Sequence, residues 1–436
     1  MPRVSTLNRP AVIKCPNCGV EAEADPIQLQ GRCSLICPYC VLPETLILGD
    51  NKLIEEIQIG DQSTGLYGLT EVQEVFKRPY NGSLIVIDAC GLLPLKLTPE
   101  HPVLVAKAKR CFDRKRRNWS ITFYDPEWKL AKDITTGKVW LGKPRDYLVI
   151  PRLKGDVNIK ELNLKSFTTK RGLEVLTGMN RSAVLPLNEE TAWLLGLYVA
   201  EGHSTPKEAC YSFGKHEKGL IEKTINLWQK IGYACSTKNQ KTSAIVTVQS
   251  RIISRALQSW CGHGAHNKHV PDFLLFHKDK DLLQSFLDGY ISGDGCLFSR
   301  DGREKTIAVT CSRILAMQLQ LLLARLGLML NINEKKTQNS MIEGREIQSK
   351  ENHYDIRFLS KRKHHYARVF NNFILTPVRA VTKEEYYGIV YNIGTGDDTY
   401  LASNAVIHNC GFHFYITPKV DGIAQVVEGA RAELAE

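Results

Sequence analysis

Residues 40–150 alternate short apolar runs with polar turns, a pattern typical of β-strands. Residues 83–87 and 147–150 are two such runs, and Val, Ile or Leu fills most of their positions. Gly49-Asp50-Asn51 is a turn sequence between two further apolar stretches. The pattern therefore predicts an all-β region.

From residue 185 the apolar positions follow a helical period, and the design occurs twice. Asn188 can cap a helix that continues through residues 194–202, and residues 282–295 repeat the pattern about ninety residues later. Small residues four positions apart share one helical face, so the two helices are expected to touch backbone to backbone. These small residues are Gly196 and Ala200 in the first copy and Gly289 and Gly293 in the second.

Both helical copies end in an acid followed by a glycine, Glu201-Gly202 and Asp294-Gly295. Each glycine predicts a helix stop in the left-handed conformation. If the helices pack together, Glu201 and Asp294 lie side by side, and two such carboxylates repel each other and attract a divalent cation. One copy alone would more simply be an amphipathic helix with a glycine stop, but the duplication favours metal-assisted phosphodiester hydrolysis.

Two other stretches give weaker structural expectations. Residues 151–185 predict a connector with helical pieces. Residues 314–330 predict a long amphipathic helix, and its leucines are expected to belong to the core.

Composition indicates a protein of more than one domain. The 436 residues are 43% hydrophobic, which is enough to bury more than one core. No apolar run reaches membrane-spanning length and the N-terminus lacks a signal-peptide core, so we expect a cytoplasmic protein that does not bind membranes. Thirteen cysteines in a reducing compartment indicate metal binding, catalysis or packing rather than disulfides.

Four of the cysteines form two Cys-x-x-Cys pairs, Cys15 with Cys18 and Cys37 with Cys40. Each pair can deliver two sulfurs to one tetrahedral ion, and the separation of 18 residues fits a zinc ribbon. The sequence therefore predicts a Zn²⁺ site.

The segment His408-Asn409-Cys410 carries the residue types needed to cut a peptide backbone. An asparagine side chain can attack its own carbonyl carbon if a neighbouring acid protonates the leaving amine and the next residue is a nucleophile. His408 and Cys410 would fill these two roles. Far upstream, Cys40 offers a second thiol, and Thr98 and His101 lie three positions apart after a β-type run.

Together these segments, with residues 388–393 and 400–402, resemble the splicing motifs of an intein. The resemblance implies that the 370 residues from Cys40 through Asn409 excise themselves and join the flanks, without a cofactor. Cys410 would then replace Cys40 as the fourth zinc ligand in a 66-residue host protein. The implied catalytic residues are Cys40, Thr98, His101, His408, Asn409 and Cys410.

The intein resemblance also implies a multidomain fold class. An all-β horseshoe (Hint) splicing domain would contain an inserted α/β endonuclease domain of pseudo-two-fold symmetry, flanked by a split zinc ribbon. The implied boundaries are a flank at 1–39, splicing domain at 40–150, a linker with possible DNA recognition at 151–185, endonuclease at 186–375, splicing domain at 376–409 and a flank at 410–436.

The duplicated helices resemble the paired LAGLIDADG motifs of DOD-type homing endonucleases, which inteins commonly carry. The resemblance implies a Mg²⁺-dependent, site-specific, double-strand DNA endonuclease with Glu201 and Asp294 as metal ligands. Lys268, in a Lys-His-Val-Pro segment between the motifs, would assist cleavage. A monomer would bind a long asymmetric target, expected in the uninterrupted host gene.

The net charge of +11 is concentrated in the proposed insert, which carries +12 while the flanks carry −1. A basic surface suits phosphate binding, although a solvated charge run is the simpler alternative. The candidate DNA contacts are Arg114, Lys115, Arg116, Arg117, Lys361, Arg362 and Lys363.

Two positions depart from the intein pattern: Asn392 replaces the usual aspartate, and Thr399 stands where an imidazole often occurs. Asparagine cannot accept a proton, so slow activation of Cys410 is expected. Two alternatives remain open: an intein with an inactive nuclease, and a zinc-ribbon DNA-binding protein that does not splice. A hedgehog-like autoprocessing protein needs no terminal Asn-Cys, so His408-Asn409-Cys410 argues against it.

Overall fold

The computed structural model describes residues 39–113, 118–168, 183–300, 303–336, 340–342, 345–347, 352–358 and 367–409, with the backbone of 11–14, 21–24, 414–418 and 424–428. The chain divides into two compact units. Unit 1 draws on residues 1–89, 94–149 and 377–436, and unit 2 on residues 90–93 and 150–376.

Strands dominate the described part of the chain, and the α-helices lie between residues 189 and 325. The first strands are β1 (Ala11–Lys14), β2 (Glu21–Ala24), β3 (Leu46–Ile47), β4 (Lys52–Leu53), β5 (Gln62–Thr64), β6 (Leu69–Ala89), β7 (Leu95–Leu97), β8 (Pro102–Asp113), β9 (Asn118–Phe123), β10 (Glu127–Leu130) and β11 (Arg145–Pro151). The middle strands are β12 (Glu161–Asn163), β13 (Val184–Pro186), β14 (Gly202–Ser204), β15 (Ala209–Gly214), β16 (Cys235–Asn239), β17 (Ser243–Val248), β18 (Cys296–Arg300), β19 (Arg303–Thr310), β20 (Leu330–Lys335), β21 (Ser340–Ile342), β22 (Arg345–Ile347), β23 (His353–Phe358) and β24 (Arg368–Phe370). The last strands are β25 (Phe373–Thr395), β26 (Thr399–Ala402), β27 (Ala405–His408), β28 (Phe414–Pro418) and β29 (Ala424–Glu428). The helices are α1 (Glu189–Glu201), α2 (Lys218–Lys230), α3 (Arg251–Cys261), α4 (Asp272–Leu275), α5 (Lys280–Asp294) and α6 (Arg313–Arg325).

Unit 1 is built on an antiparallel sheet with the strand order β26-β27-β8-β11-β25-β6-β5, and β7, β9 and β10 pair at its sides. Apolar side chains of its strands are fully buried, because alternate residues of a strand face the same side. They include Val103, Val105, Leu148, Val406 and Ile407. This core lies directly beside Cys40 and Asn409, which are also buried.

Strands β6 and β25 form a long two-stranded ribbon that pairs from Ala89–Val378 to Val72–Thr395. Its middle faces solvent, where Tyr387 is 86% exposed. The ladder shifts its register between Gly394 and Thr395. A bulge of this kind re-aims the side chain and the N–H group that follow it.

Unit 2 repeats one order of elements. In the first half α1 leads into β14 and β15, α2 follows, and β16 and β17 complete a sheet of order β14-β15-β17-β16. In the second half α5 leads into β18 and β19, α6 follows, and the sheet order is β18-β19-β23-β20. This repetition agrees with the two halves that the duplicated helices predict.

One expectation from the sequence was wrong in detail. The helix expected over 314–330 is α6, which ends at Arg325 because Gly327 adopts a φ of 77° and turns the chain out of the helix. In the connector, strands β12 and β13 pair with each other, and a short 3-10 helix follows β12. Residues 169–182, the middle of the connector where helical pieces were expected, lie outside the described residues.

No helix in the described ranges is long and apolar enough to cross a membrane.

Candidate functional sites

Cys40 lies in unit 1 on the edge of the ribbon, held by the neighbouring Val41, which exchanges two backbone hydrogen bonds of 2.8 and 2.9 Å with Tyr391. The N–H of Cys40 donates to Oγ1 of Thr98 at 3.0 Å, and the N–H of Thr98 donates to the carbonyl oxygen of Cys40, also at 3.0 Å. The Thr98 hydroxyl therefore contacts the nitrogen of the Tyr39–Cys40 peptide bond, the bond that a splicing reaction would break first.

His101 lies between two distant backbone segments. Its Nδ1 is 3.3 Å from the carbonyl oxygen of Cys40, and its Nε2 is 3.1 Å from the carbonyl oxygen of His408. Complete burial lowers the pKa of His101 to about 3, so the ring is neutral at pH 7 and can donate to only one of the two carbonyl groups. A role in supplying a proton to the Cys40 nitrogen would need the ring to gain a proton first.

The thiol of Cys40 is affected by a residue that the motifs did not indicate. Burial raises the pKa of the Cys40 thiol, and the guanidinium of Arg78 opposes this rise through its charge and a hydrogen bond. Arg78 lies on β6 opposite Val390 and 5.2 Å from the centre of the Tyr80 ring. No motif marks this position, because only the pairing of β6 with β25 brings it to Cys40.

At the other end of the same pocket, Asn409 is completely buried. Its N–H donates to the carbonyl oxygen of Asp398 at 2.9 Å, and its side-chain amide lies 2.8 Å from Oγ1 of Thr395. His408 contacts the carbonyl oxygen of Asn409 and packs against the edge of Trp128, with ring centres 5.0 Å apart. Burial lowers the pKa of His408, while its hydrogen bond to Asn409 and the charge of Asp398 act in the opposite direction.

Trp128 is held in place by a buried ion pair next to it in sequence. Nζ of Lys129 lies 2.6 Å from the carboxylate of Asp146, which also accepts hydrogen bonds from the N–H and hydroxyl of Thr135. Because Asp146 is fully buried, this pair fixes β10 firmly against β11. Trp128 and Thr395 join Arg78 as site residues that the sequence did not reveal.

The two positions that depart from the intein pattern have defined contacts. Oδ1 of Asn392 accepts hydrogen bonds from the Tyr400 hydroxyl at 3.0 Å and from the N–H of Ile393 at 2.9 Å, while its buried Nδ2 has no hydrogen-bond partner in the described part of the chain. The Thr399 hydroxyl accepts from the N–H of Leu66 at 2.8 Å and donates to Asp397 at 3.0 Å. Thr399 thus fixes the backbone beside the pocket.

Unit 2 contains the duplicated helices α1 and α5, which pack face to face. A Cβ atom on Gly196 would overlap the carbonyl group of Phe286, and one on Gly289 would overlap that of Trp193. The helices therefore touch backbone to backbone, as the spacing of small residues predicts. A Cβ on Gly293 would lie 2.8 Å from Cγ of Glu201, so the Glu201 stem lies against the last turn of α5.

The glycines after the two acids serve another purpose than predicted. Gly202 has a φ of −84° and Gly295 a φ of −78°, so neither is left-handed. A side chain on Gly202 would collide with Tyr198, and one on Gly295 with Ile291. Lack of space, not backbone conformation, requires glycine at both positions.

Both acids have a pKa above the ordinary value of their side chain. Burial raises the pKa of Asp294 to about 7, the charge of Glu201 adds to this effect, and Tyr290 and Lys268 oppose it. Burial also raises the pKa of Glu201. Two half-buried carboxylates, one of which disfavours the charged form of the other, fit a divalent cation such as Mg²⁺, which would relieve the repulsion.

Lys268 lies close to this acid pair and is itself buried. Its Nζ donates to the carbonyl oxygen of Tyr198 at 2.7 Å and lies 3.9 Å from the centre of the Tyr198 ring. Burial lowers the pKa of Lys268 to about 8, although Cys261 and Asp294 act in the opposite direction. A lysine with this pKa exchanges protons near neutral pH.

Asp294→Asn is expected to stabilise unit 2 at pH 8 without metal, by on the order of 3 kcal/mol. Since the folded pKa of Asp294 is about 7, above its ordinary value, the unfolded chain ionises first as pH rises from about 4. Wild-type stability should therefore fall between pH 4 and 7 by more than that of the variant, in which only Glu201 of the pair keeps a raised pKa. Urea unfolding in EDTA at pH 4.5 and 8 measures the free energy of unfolding of the wild type and of the variant. The exposed Asp288→Asn on the same helix is the control. A variant no more stable than wild type at pH 8 would contradict the expectation.

Several candidate residues lie outside the described residues. They are Cys15, Cys18, Cys37 and Cys410 of the zinc site, and Arg114, Lys115, Arg116, Arg117, Lys361, Arg362 and Lys363 of the DNA contacts. Within the residues that are described, no three His, Cys, Asp or Glu side chains group as a metal site.

Residues 281–359 match the family model of the LAGLIDADG-like domain. The protein is thus a multidomain, mostly β chain that contains a LAGLIDADG-type α/β domain. Among solved structures, I-DmoI in complex with DNA and Ca is 12% identical, with a TM-score of 0.28 over 40% of this chain and 85% of that one.

Two curated relatives resemble most of this chain. The ATP-dependent DNA helicase Hel308 of Thermococcus kodakarensis is 28% identical over 85% of it, and the iron-sulfur cluster assembly SufBD family protein Rv1461 of Mycobacterium tuberculosis is 28% identical over 84%. The chain spans 36% and 42% of the length of these two relatives.

Proposed function

We propose that residues 40–409 are an intein that excises itself and joins residues 1–39 to residues 410–436. The observation that carries this proposal is the position of His101, with one ring nitrogen on the carbonyl of Cys40 and the other on the carbonyl of His408. Residues more than 300 positions apart thereby meet at one buried ring. Proximity of this kind can lower the barrier of an intramolecular reaction by roughly 7–11 kcal/mol.

The relatives support the same proposal. A helicase and an iron-sulfur cluster assembly protein have unrelated names, yet each resembles 84–85% of this chain within a longer protein. Residues 40–409 make up about 85% of the chain. A segment shared by functionally unrelated proteins is what an inserted, self-removing element predicts.

The proposed steps use Cys40, Thr98, His408, Asn409 and Cys410. The Cys40 sulfur attacks the carbonyl carbon of Tyr39, the C–N bond breaks, and the nitrogen, which Thr98 contacts, takes a proton. The thiol of Cys410 then takes the acyl group, releasing the Cys40 thiol. Asn409 cyclises, with His408 protonating the nitrogen of Cys410, and the joined flanks rearrange to a peptide bond. The splicing domain would comprise 40–150 and 376–409.

The joined flanks would form a zinc ribbon of 66 residues. Cys15, Cys18, Cys37 and Cys410 supply four thiolates in two Cys-x-x-Cys pairs, a donor set suited to tetrahedral Zn²⁺. Before splicing Cys40 would hold the position that Cys410 takes later.

Expression of the wild-type chain followed by intact-mass analysis tests the splicing proposal. We expect two products, of 370 and 66 residues, to replace the 436-residue chain during incubation with a reductant and a chelator. Tandem mass spectrometry should find Tyr39 bonded to Cys410 in the smaller product. A single uncut species after prolonged incubation would refute it.

For unit 2 we propose a homing endonuclease that cleaves double-stranded DNA, formed by residues 186–375. Its support is the pair of half-buried acids at the ends of two glycine-packed helices, of which Asp294 lies within the residues that match the LAGLIDADG-like domain. Glu201 and Asp294 would hold Mg²⁺, which stabilises charge developing on the phosphate. Lys268, with its lowered pKa, would exchange a proton at the same place.

The target would be a long asymmetric sequence in the uninterrupted host gene, read by a monomer. Positive charge for phosphate contacts would come from residues 114–117 and 361–363. Next to the first stretch, the guanidinium of Arg110 stacks 3.9 Å from the centre of the Trp119 ring, and Trp119 is 49% exposed. A half-buried cation on the face of an exposed aromatic ring is compatible with nucleic-acid binding.

A further inference from the structure

Thr395 lies at the end of β25, directly after the register shift in the ribbon. The bulge breaks the ladder with β6 here, and its geometry aims the N–H of Thr395 toward the Asn409 side chain. Both residues are excluded from solvent, with exposed fractions of 2% for Thr395 and 0% for Asn409. Interactions between them therefore act without competition from water.

The Asn409 amide satisfies its hydrogen bonds when its oxygen faces Thr395. In that orientation Oδ1 accepts from the N–H of Thr395 and from its hydroxyl, at 2.8 Å from Oγ1. Nδ2 then donates to the carbonyl oxygen of Asp398 at 3.2 Å, and this carbonyl also accepts the main-chain N–H of Asn409. The side chain is thus fixed at both ends of its amide group.

We propose that Thr395 is a positioning and charge-stabilising residue for the cyclisation of Asn409, an inference that rests on the proposed splicing function. In this step Nδ2 bonds to the carbonyl carbon of Asn409 as the bond from that carbon to the nitrogen of Cys410 breaks. The proton that Nδ2 loses passes by way of His408 to the nitrogen of Cys410. As Nδ2 loses its proton, negative charge moves onto Oδ1, where two donors from Thr395 stabilise it.

Two other hydrogen-bond acceptors fix the position of the Thr395 hydroxyl. Oγ1 lies 3.1 Å from Oδ1 of Asp397 and 2.8 Å from the carbonyl oxygen of Thr399. These contacts keep the oxygen in place whichever way its hydrogen points. An amide oxygen that gains negative charge becomes the stronger acceptor and draws the hydrogen to itself.

The test isolates this step in the full chain carrying Cys40→Ala, where only Asn409 can cut. Thr395→Val removes the hydroxyl and keeps the volume, Thr395→Ser restores the hydroxyl, and the exposed Thr382→Val on the same strand is the matched control. We expect Thr395→Val to slow release of residues 410–436 about 10- to 100-fold, with Thr395→Ser within about threefold of the parent. Intact mass against time measures the rate.

A second measurement separates this role from a structural one. In an Asn409→Ala chain, hydroxylamine cleavage at Tyr39 reports the first acyl transfer, and Thr395→Val should leave its rate unchanged. Equal slowing of both steps, or no slowing of release, would overturn the inference while leaving splicing intact. A Cys40→Ala parent that never releases residues 410–436 would instead count against the proposed splicing function, and the inference would be lost with it.

Discussion

Cys40→Ala is expected to abolish joining of the flanks, and Asn409→Ala is expected to block release of residues 410–436. In the proposed mechanism the Cys40 thiol accepts the first acyl group, and the N–H and carbonyl groups of Cys40 are held by Thr98 and His101. The Asn409 amide would cut the second bond. Loss of a nucleophile should lower the rate of its step by more than about 1,000-fold.

Intact-mass analysis distinguishes these variants by their products. Cys40→Ala should give residues 1–409 and 410–436 without a spliced product, whereas Asn409→Ala should accumulate chains that a thiol reagent cleaves after Tyr39. Matched controls are Cys111→Ala, a partly exposed thiol on β8, and Asn81→Ala, an exposed amide on β6. Both controls should splice like wild type. Spliced product from either junction variant would exclude the mechanism.

Glu201→Gln and Asp294→Asn are each expected to reduce DNA cleavage at least about 1,000-fold, because each removes a charge that would hold the proposed catalytic cation. Both substitutions keep side-chain size and relieve the repulsion that raises the pKa of Asp294, so the fold of unit 2 should persist. DNA binding should persist as well, since it depends on basic residues elsewhere.

The assay uses a DNA duplex that encodes the uninterrupted host sequence across the Tyr39–Cys410 junction, with Mg²⁺ and with EDTA. Asp288→Asn, an exposed acid on α5, is the control and should cleave like wild type. All three variants should splice normally, because the acids and Cys40 belong to different units. Mg²⁺-dependent cleavage that survives in Asp294→Asn would refute the assigned role.

Asp294 illustrates how a site can oppose stability. Burial and the charge of Glu201 raise its pKa to about 7, so its ionised form weakens the metal-free fold at neutral pH. The same substitution should therefore stabilise unit 2 and abolish cleavage. Substitution of a residue that only stabilises the fold would not raise stability and abolish cleavage together.

Local features of the sequence determined much of unit 2. Asn188 caps α1 with a hydrogen bond of 2.9 Å to the N–H of Thr191, as its position predicts. Gly196 and Gly289 permit the close helix contact that their spacing indicates. Caps and helical faces depend on residues three or four positions apart, so they can be inferred without knowledge of the rest of the fold.

Other features depended on partners far away in the sequence. Strands β12 and β13 pair across 20 residues, and Gly202 and Gly295 are required by neighbouring atoms and not by φ. Three site residues belong to none of the sequence motifs: Arg78, Trp128 and Thr395. Each reaches Cys40, His408 or Asn409 only because strands distant in sequence pair with one another.

The sequence by itself therefore determined which residue types were available: a thiol, an imidazole, an amide and two acids at recognisable spacings. The tertiary structure decided which of them meet, placing Cys40 and His408 on one neutral imidazole and the Asn409 amide on Thr395. The physical reason is that a motif records neighbours along the chain, whereas burial, charge and hydrogen bonding depend on neighbours in space.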